Sequence, residues 1–275
     1  MPSKTILITG CSSGIGLDTA RRLKGQGWTV FASCRATEDC AARVAEGFSA
    51  PQLDYAEPDS IARCAQDVLT QTNGALDAVF HNGAYALPGP LEDIPAEGMR
   101  AQFEANFLGW HDLNRHVLPA MRARKQGRVL FNSSVLGIVG MKYRGPYVAT
   151  KFALEGYADV LRMEMAEAGI HVVLIEPGPI ETAFRKNAIK QFDKWVDWKS
   201  SALRETYESS LLDKLKKGGS ASKQWPASAV TDAVEKALTA SSPKARYRVT
   251  VPTHAMAIAR RLLPTRALDW LLSKG

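Results

Sequence analysis

Tyr147-Val148-Ala149-Thr150-Lys151 sets a phenol and an ammonium four residues apart. On a helix those two positions share a face, about one turn apart. A free tyrosine, with a pKa of about 10, is a poor acid or base at neutral pH. A cation beside it favours the phenolate and lowers that value. The pair therefore reads as a proton-transfer unit. Of the seven tyrosines, only Tyr147 has a lysine four positions later. The same spacing also describes an exposed helix face, so its companions decide between the two.

A second group lies near the start of the chain. Thr9-Gly10-Cys11-Ser12-Ser13-Gly14-Ile15-Gly16 follows an apolar run and opens an amphipathic one. Glycine permits a tight turn and lets backbone come close to a pyrophosphate. The helix that begins at Gly14, Ile15 and Gly16 would offer free N–H groups and a partial positive charge. The spacing Gly-x-x-x-Gly-x-Gly differs from the commoner Gly-x-Gly-x-x-Gly turn. The next apolar run ends in Ser33-Cys34-Arg35. NAD sites place a carboxylate there for the ribose 2′-hydroxyl. Here none stands there to repel a 2′-phosphate, and Arg35 could clamp one, with Ser12 and Ser13 adding hydroxyls. NADP(H) is thus favoured over NAD(H).

These groups need a scaffold. Short apolar runs at 5–9, 29–33, 78–81, 128–132, 171–176 and 246–251 read as strands, with a weaker one at 47–53. Helical patterns at 14–26, 58–72, 98–124 and 146–168 alternate with them. Such alternation predicts an α/β fold: one Rossmann-like, doubly wound parallel sheet with helices on both faces. One domain over 1–275 is expected. Residues 182–223 are long and polar yet carry Phe184, Phe192, Trp195, Trp198 and Tyr207, which suits a C-terminal helical lid or a surface insertion. The tail, 253–275, mixes Leu262, Leu263 and Trp270 with Arg260, Arg261 and Arg266. It could cap a substrate site, bury in an oligomer interface or touch a membrane surface.

Composition limits the alternatives. Of 275 residues, 45% are hydrophobic and 23% charged, an ordinary globular balance. The net charge of +7 is spread along the chain rather than gathered in basic runs, so nucleic acid is not an expected partner. Cys11, Cys34, Cys40 and Cys64 form no CxxC and no metal spacing, so buried thiols and no metal centre are expected. The apolar run at 5–9 is too short for a secretory signal, and nothing approaches a membrane span. A cytoplasmic enzyme is the expectation.

Together and in order, these motifs resemble the classical short-chain dehydrogenase/reductase family over residues 4 to 182. The family's glycine motif matches Gly10, Gly14 and Gly16, and its adenine-holding aspartate matches Asp54. Its Asn-Asn-Ala-Gly motif reads His81-Asn82-Gly83-Ala84; Asn82 matches the second asparagine, while His81 and the Gly83-Ala84 order depart. Asn106 matches its structural asparagine. Ser134, thirteen residues before Tyr147, matches its serine, a spacing that favours it over Ser133.

The resemblance implies roles for these residues. Tyr147 would exchange a proton with the substrate oxygen. Lys151 would lower the Tyr147 pKa and bind the nicotinamide ribose. Ser134 would polarise the carbonyl, and Asn106 would hold a water beside Lys151. Asn82 and Gly83 would line the cofactor. Pro177-Gly178, with Ile180 and Thr182, would hold the carboxamide.

Within the family the chain resembles a group that includes NADP-dependent aldehyde reductase and 17β-hydroxysteroid dehydrogenase-like members. This implies a hydrophobic aldehyde or ketone facing Leu136, Met141, Tyr143 and Phe184. It also implies a homodimer or homotetramer paired through the helices at 98–124 and 146–168. A hydroxysteroid or retinol dehydrogenase, and an NADP-binding regulatory module without turnover, stand as alternatives.

Overall fold

Among the described residues there are six strands, all but the last drawn from apolar runs rich in β-branched and aromatic residues: β1 (Thr5–Ile8), β2 (Thr29–Ala32), β3 (Ala78–His81), β4 (Gly127–Asn132), β5 (Ile170–Glu176) and β6 (Arg246–Arg248). They form one parallel sheet in the order β2-β1-β3-β4-β5-β6. This computed structural model describes residues 3–217 and 224–273. Residues 218–223 of the expected lid and 274–275 of the expected tail lie outside the described residues.

Side chains alternate between two cores, as the pleat requires. Leu7, Phe31, Val79, Val129 and Phe131 face one side, under α3 (Pro58–Gln71), α5 (Gly109–Arg124) and α6 (Gly145–Met165). Ile6, Ile8, Phe80, Leu130 and Val173 face the other, under α1 (Gly14–Gly25) and α10 (Ala227–Thr239). Helices on both faces leave β1 to β5 largely buried, while β6 at the edge is half-exposed. β1 lies between β2 and β3, where the strand order reverses, and the crevice beyond such a point is where open α/β sheets bind ligands.

Four elements differ from the expectations. Residues 47–53 form no strand, only the bridges Phe31↔Ser49 and Cys34↔Gln52. Gly47 at φ +77° and Pro51, which has no N–H, interrupt the ladder. A further helix, α2 (Thr37–Ala45), follows β2 and buries Cys40 and Arg43. The expected helix at 98–124 is divided: α4 (Ala96–Phe103) and α5 are joined by a π-turn at Glu104–Leu108, whose Asn106 is buried. Finally, β6 stops at Arg248, and α11 (Val251–Leu262) starts with Pro252 in its first turn, where the missing N–H costs nothing.

The region after β5 contains α7 (Phe184–Trp195), the short α8 (Arg204–Thr206), a π-turn at Tyr207–Leu211 and α9 (Leu212–Lys217). Phe192, Val196, Tyr207 and Leu215 bury with Leu87 in a small separate core. Tyr207 Oη and Ser201 Oγ both donate to Asp93 Oδ2, at 2.7 and 2.9 Å. The segment is therefore docked on the 87–95 region. In the tail, α11 and α12 (Thr265–Ser273) bury Thr253, Ala257 and Leu268 and expose Val251, Ile258, Leu262 and Trp270. No helix among the described residues is long and apolar enough to cross a membrane.

Candidate active site

The glycine turn leaves β1 and enters α1. Gly10 has φ +69°, and a Cβ there would lie 2.6 Å from Gly83 Cα, so both the turn and the close packing demand glycine. Gly14 has φ +58°, and its Cβ would lie 2.9 Å from the Thr182 methyl. Ile15 packs against the core below. Asn82 Nδ2 donates to Thr9 O and Gly10 O at 3.0 and 3.3 Å, and Asn82 Oδ1 accepts from Asn132 Nδ2 at 2.9 Å. Thr9 Oγ1 accepts the N–H groups of Asn82 and Gly83 at 2.9 and 3.1 Å. Asn82 and Gly83 thus brace the turn. The departure at His81 has a structural reason. Its buried ring bonds Tyr55 Oη and Asn114 Oδ1, each at 2.9 Å. Burial pulls its pKa down to about 4 against the Asn114 bond, so it is neutral at pH 7.

At the end of β2, Arg35 is exposed and its carbonyl accepts from Gln52 Nε2. Asp54 Oδ1 accepts the Ala56 N–H at 3.0 Å. Tyr85, which the sequence motifs did not single out, lies near both charges: burial pushes its phenol up to about 12, Arg35 opposing and Asp54 adding. Its backbone is clamped, since Tyr85 O accepts from Asn106 Nδ2 and Gln102 Nε2, both at 2.8 Å. Ser12 and Ser13 are exposed. The four cysteines are free and buried, and burial lifts Cys34 and Cys64 to about 12.

β4 delivers Ser134, and α6 delivers Tyr147 and Lys151. Ser134 Oγ accepts the Leu136 N–H at 3.1 Å and lies near the Tyr147 phenol. The Tyr147 ring is buried with Ala86, Leu136 and Ala188, and meets Phe184 edge-on at 5.3 Å. Lys151 is buried; Nζ donates to Asn132 O at 2.7 Å, 4.5 Å from the Trp110 ring centre and 5.5 Å from the Tyr147 ring centre. Asn106 reaches Thr150 Oγ1 at 3.4 Å, so it ties the Tyr85 segment to α6 and makes no direct bond to Lys151. Ser133 is turned away from the phenol, its hydroxyl on Glu155.

Electrostatics differ from the simple expectation. Burial pushes Tyr147 up to about 12, with the Ser134 hydroxyl opposing. Burial pulls Lys151 down to about 7, with Glu155 opposing. Both groups are pushed towards neutrality before any charge from Lys151 acts on the phenol.

The family model described as short chain dehydrogenase matches residues 4–193. The chain belongs to the short-chain dehydrogenase family. It is 41% identical over 270 residues to the uncharacterized oxidoreductase YbbO of Escherichia coli, covering 98% of this chain and 94% of the relative. It is 36% identical over 198 residues to human retinol dehydrogenase 8, covering 68% of this chain and 62% of the relative. The crystal structure of a single-residue variant of actinorhodin polyketide ketoreductase with NADPH superimposes with a TM-score of 0.72 at 25% identity, covering 90% and 95% of the two chains.

The donors of this short-chain dehydrogenase fit the family's nicotinamide cofactor. Among the described residues, the Lys151 ammonium has one acceptor, leaving two protons for hydroxyl oxygens. The buried Asn132 Oδ1 has no donor among the described residues. The loop 177–182 runs from β5 towards the glycine turn. Pro177 O accepts the Val135 N–H at 2.8 Å, Gly178 packs against Thr250 and Thr253, and Thr182 lies against Gly14. Ile180 is fixed by a bridge to Trp225. The start of α11 therefore backs the Pro177-Gly178 loop. Of the substrate-facing candidates, Leu136 and Phe184 lie at Tyr147, and Met141 is exposed. Tyr143 adopts φ +63°, and its carbonyl accepts the Gly89 N–H.

Proposed function

We propose that this oxidoreductase reduces hydrophobic aldehydes or ketones with NADPH, and oxidises the corresponding alcohols in reverse. One observation carries the reading: Ser134 and the Tyr147 phenol come together where the Tyr147 ring faces Ala86, Leu136, Phe184 and Ala188. A proton donor and a hydroxyl thus share a site with apolar walls. A carbonyl oxygen between Ser134 and Tyr147 accepts two hydrogen bonds, which strengthen as negative charge develops on it. Tyr147 then gives that oxygen its proton. Lys151 opposes the burial of the phenolate and holds sugar hydroxyls. When bound, the cofactor supplies the hydride, and its oxidised ring supplies a positive charge. In this reading the chain is one domain, with α7 to α9 as the lid, and Arg35, Ser12 and Ser13 hold a 2′-phosphate.

A carbonyl panel run in parallel with NADPH and NADH tests this. Apolar aldehydes should be turned over with NADPH, with kcat/KM about tenfold or more above NADH, as expected for one charge-assisted phosphate contact. NADPH binding with no cofactor consumption in either direction would instead identify a regulatory module.

Pairing through α5 and α6 also belongs to this reading. Phe152, Val160 and Met163 are exposed on α6, and Leu108 is exposed just before α5, more apolar surface than a helix face in water needs. Light scattering should report a dimer or tetramer. The double substitution Val160→Glu, Met163→Glu should shift it towards monomer; an unchanged mass would discard this face.

A further inference from the structure

We propose that Arg43 is a positioning residue that sets the preference for a 2′-phosphorylated nucleotide, by holding Ser12 and Ser13 as an anion cradle. The role rests on the NADP(H) reading above. Arg43 projects from α2 and is only 8% exposed. Its Nη1 donates to two consecutive carbonyls of the glycine turn, Cys11 O at 3.0 Å and Ser12 O at 3.2 Å. Those carbonyls belong to the Cys11–Ser12 and Ser12–Ser13 peptides, and no peptide among the described residues is cis. In a planar trans peptide the N–H points opposite the carbonyl. With both carbonyls drawn to the guanidinium, the N–H groups of Ser12 and Ser13 point away from it. Both serines are exposed.

Successive N–H groups presented in this way form a concavity that attracts anions. Among the described residues, neither N–H and neither hydroxyl has a hydrogen-bond partner. A flipped peptide would aim a carbonyl oxygen at an incoming phosphate and repel it. The turn is also tied to the strand end that carries Arg35, since the Cys11 N–H donates to Ser33 O at 2.9 Å.

Arg43 is itself held. Its Nη2 bonds Glu46 Oε1 at 2.6 Å, and Glu46 also takes Arg21 through two bonds at 2.8 and 3.0 Å. Among the described residues its buried Nε has no partner. A side chain needed only to fill this space would be more stable without that orphan donor. The orientation is therefore kept for what Nη1 does to the turn.

The test compares equilibrium dissociation constants for NADPH and NADH, read by tryptophan fluorescence, in the wild type, Arg43→Met and Arg43→Lys. The wild type should prefer NADPH. Arg43→Met should weaken NADPH by about tenfold, with NADH within about twofold, because the cradle serves the extra phosphate. Arg43→Lys, with a point charge that cannot keep the planar fork, should fall between. Equal weakening of both cofactors would reduce Arg43 to a structural brace and overturn the proposal, as would no change in either. A wild type without NADPH preference would remove the cofactor reading first, and this proposal with it. Should Arg43→Met fail to fold by circular dichroism, Glu46→Gln loosens the same guanidinium. It should lower the NADPH-to-NADH ratio in the same direction, and an unchanged ratio would overturn the proposal.

Discussion

Tyr147→Phe should lower kcat for carbonyl reduction by about 10²–10⁴, the range a positioned general acid contributes. The loss should fall on turnover rather than on folding. The ring that meets Phe184 and packs with Ala86, Leu136 and Ala188 is retained, and Ser134 keeps its bond from Leu136 N. Loss of the hydroxyl should cost about 1 kcal/mol at most, so the melting temperature should move by a few degrees at most. NADPH affinity should also be nearly unchanged. A variant that still consumes NADPH at the wild-type rate would sink the assignment.

The pH dependence follows from the position of the phenol. With its pKa pushed up to about 12, Tyr147 is protonated throughout the neutral range, so the phenol itself should impose no pH dependence on reduction there. Alcohol oxidation requires the deprotonated oxygen and should rise with pH across the same range. A bound oxidised nicotinamide and a charged Lys151 would move that rise to lower pH.

The parts of the molecule that were legible in the sequence are those written in side-chain periodicity or in fixed spacing. Buried strands such as Val79-Phe80 and Val172-Val173-Leu174 can only sit between two apolar layers, so the sheet and its helices were readable. So was the glycine turn, because only glycine suits Gly10 against Gly83. Other features are carried by backbone groups or by contacts between distant segments. Arg43 acts on carbonyls, which have no residue type to read, and α2 beneath it is a nine-residue helix between loops. The π-turn that aims Asn106 at Tyr85 differs from a continuous helix in hydrogen-bond register alone. Asp93 gathers Ser201 and Tyr207 from over a hundred residues away. The electrostatic balance at Tyr147 and Lys151 also depends on burial, which spacing does not state.

Lys151→Met should separate stability from function. Activity should fall by about 10² or more, because the variant loses both the donor for sugar hydroxyls and the charge facing the phenol. The fold, however, should become more heat-resistant near neutral pH. Lys151 is buried on Trp110, and burial pulls its pKa down to about 7 from an unfolded value of about 10.4. A depressed folded-state value means that stability is complete above the unfolded pKa and is lost as pH falls towards the folded one. At pH 7 the wild type therefore carries a cost on the order of 4 kcal/mol, and at about pH 10 almost none.

Methionine keeps much of the stem's volume and has no charge to desolvate. Its own cost is the Asn132 carbonyl left without its donor, about 1–3 kcal/mol. The balance favours methionine at pH 7 and the wild type at about pH 10. The melting-temperature gap should thus be positive near neutrality, shrink as pH rises, and vanish or reverse. Glu155, pushed up to about 7 by burial against its Ser133 bond, titrates in both proteins and largely cancels in the difference. A gap that stays constant from about pH 6 to about pH 10 would show that Lys151 does not titrate there. A variant that melts lower at every pH would show that the Asn132 bond outweighs the buried charge. In either case the lysine would not be the strained group that this site keeps for its chemistry at the expense of its fold.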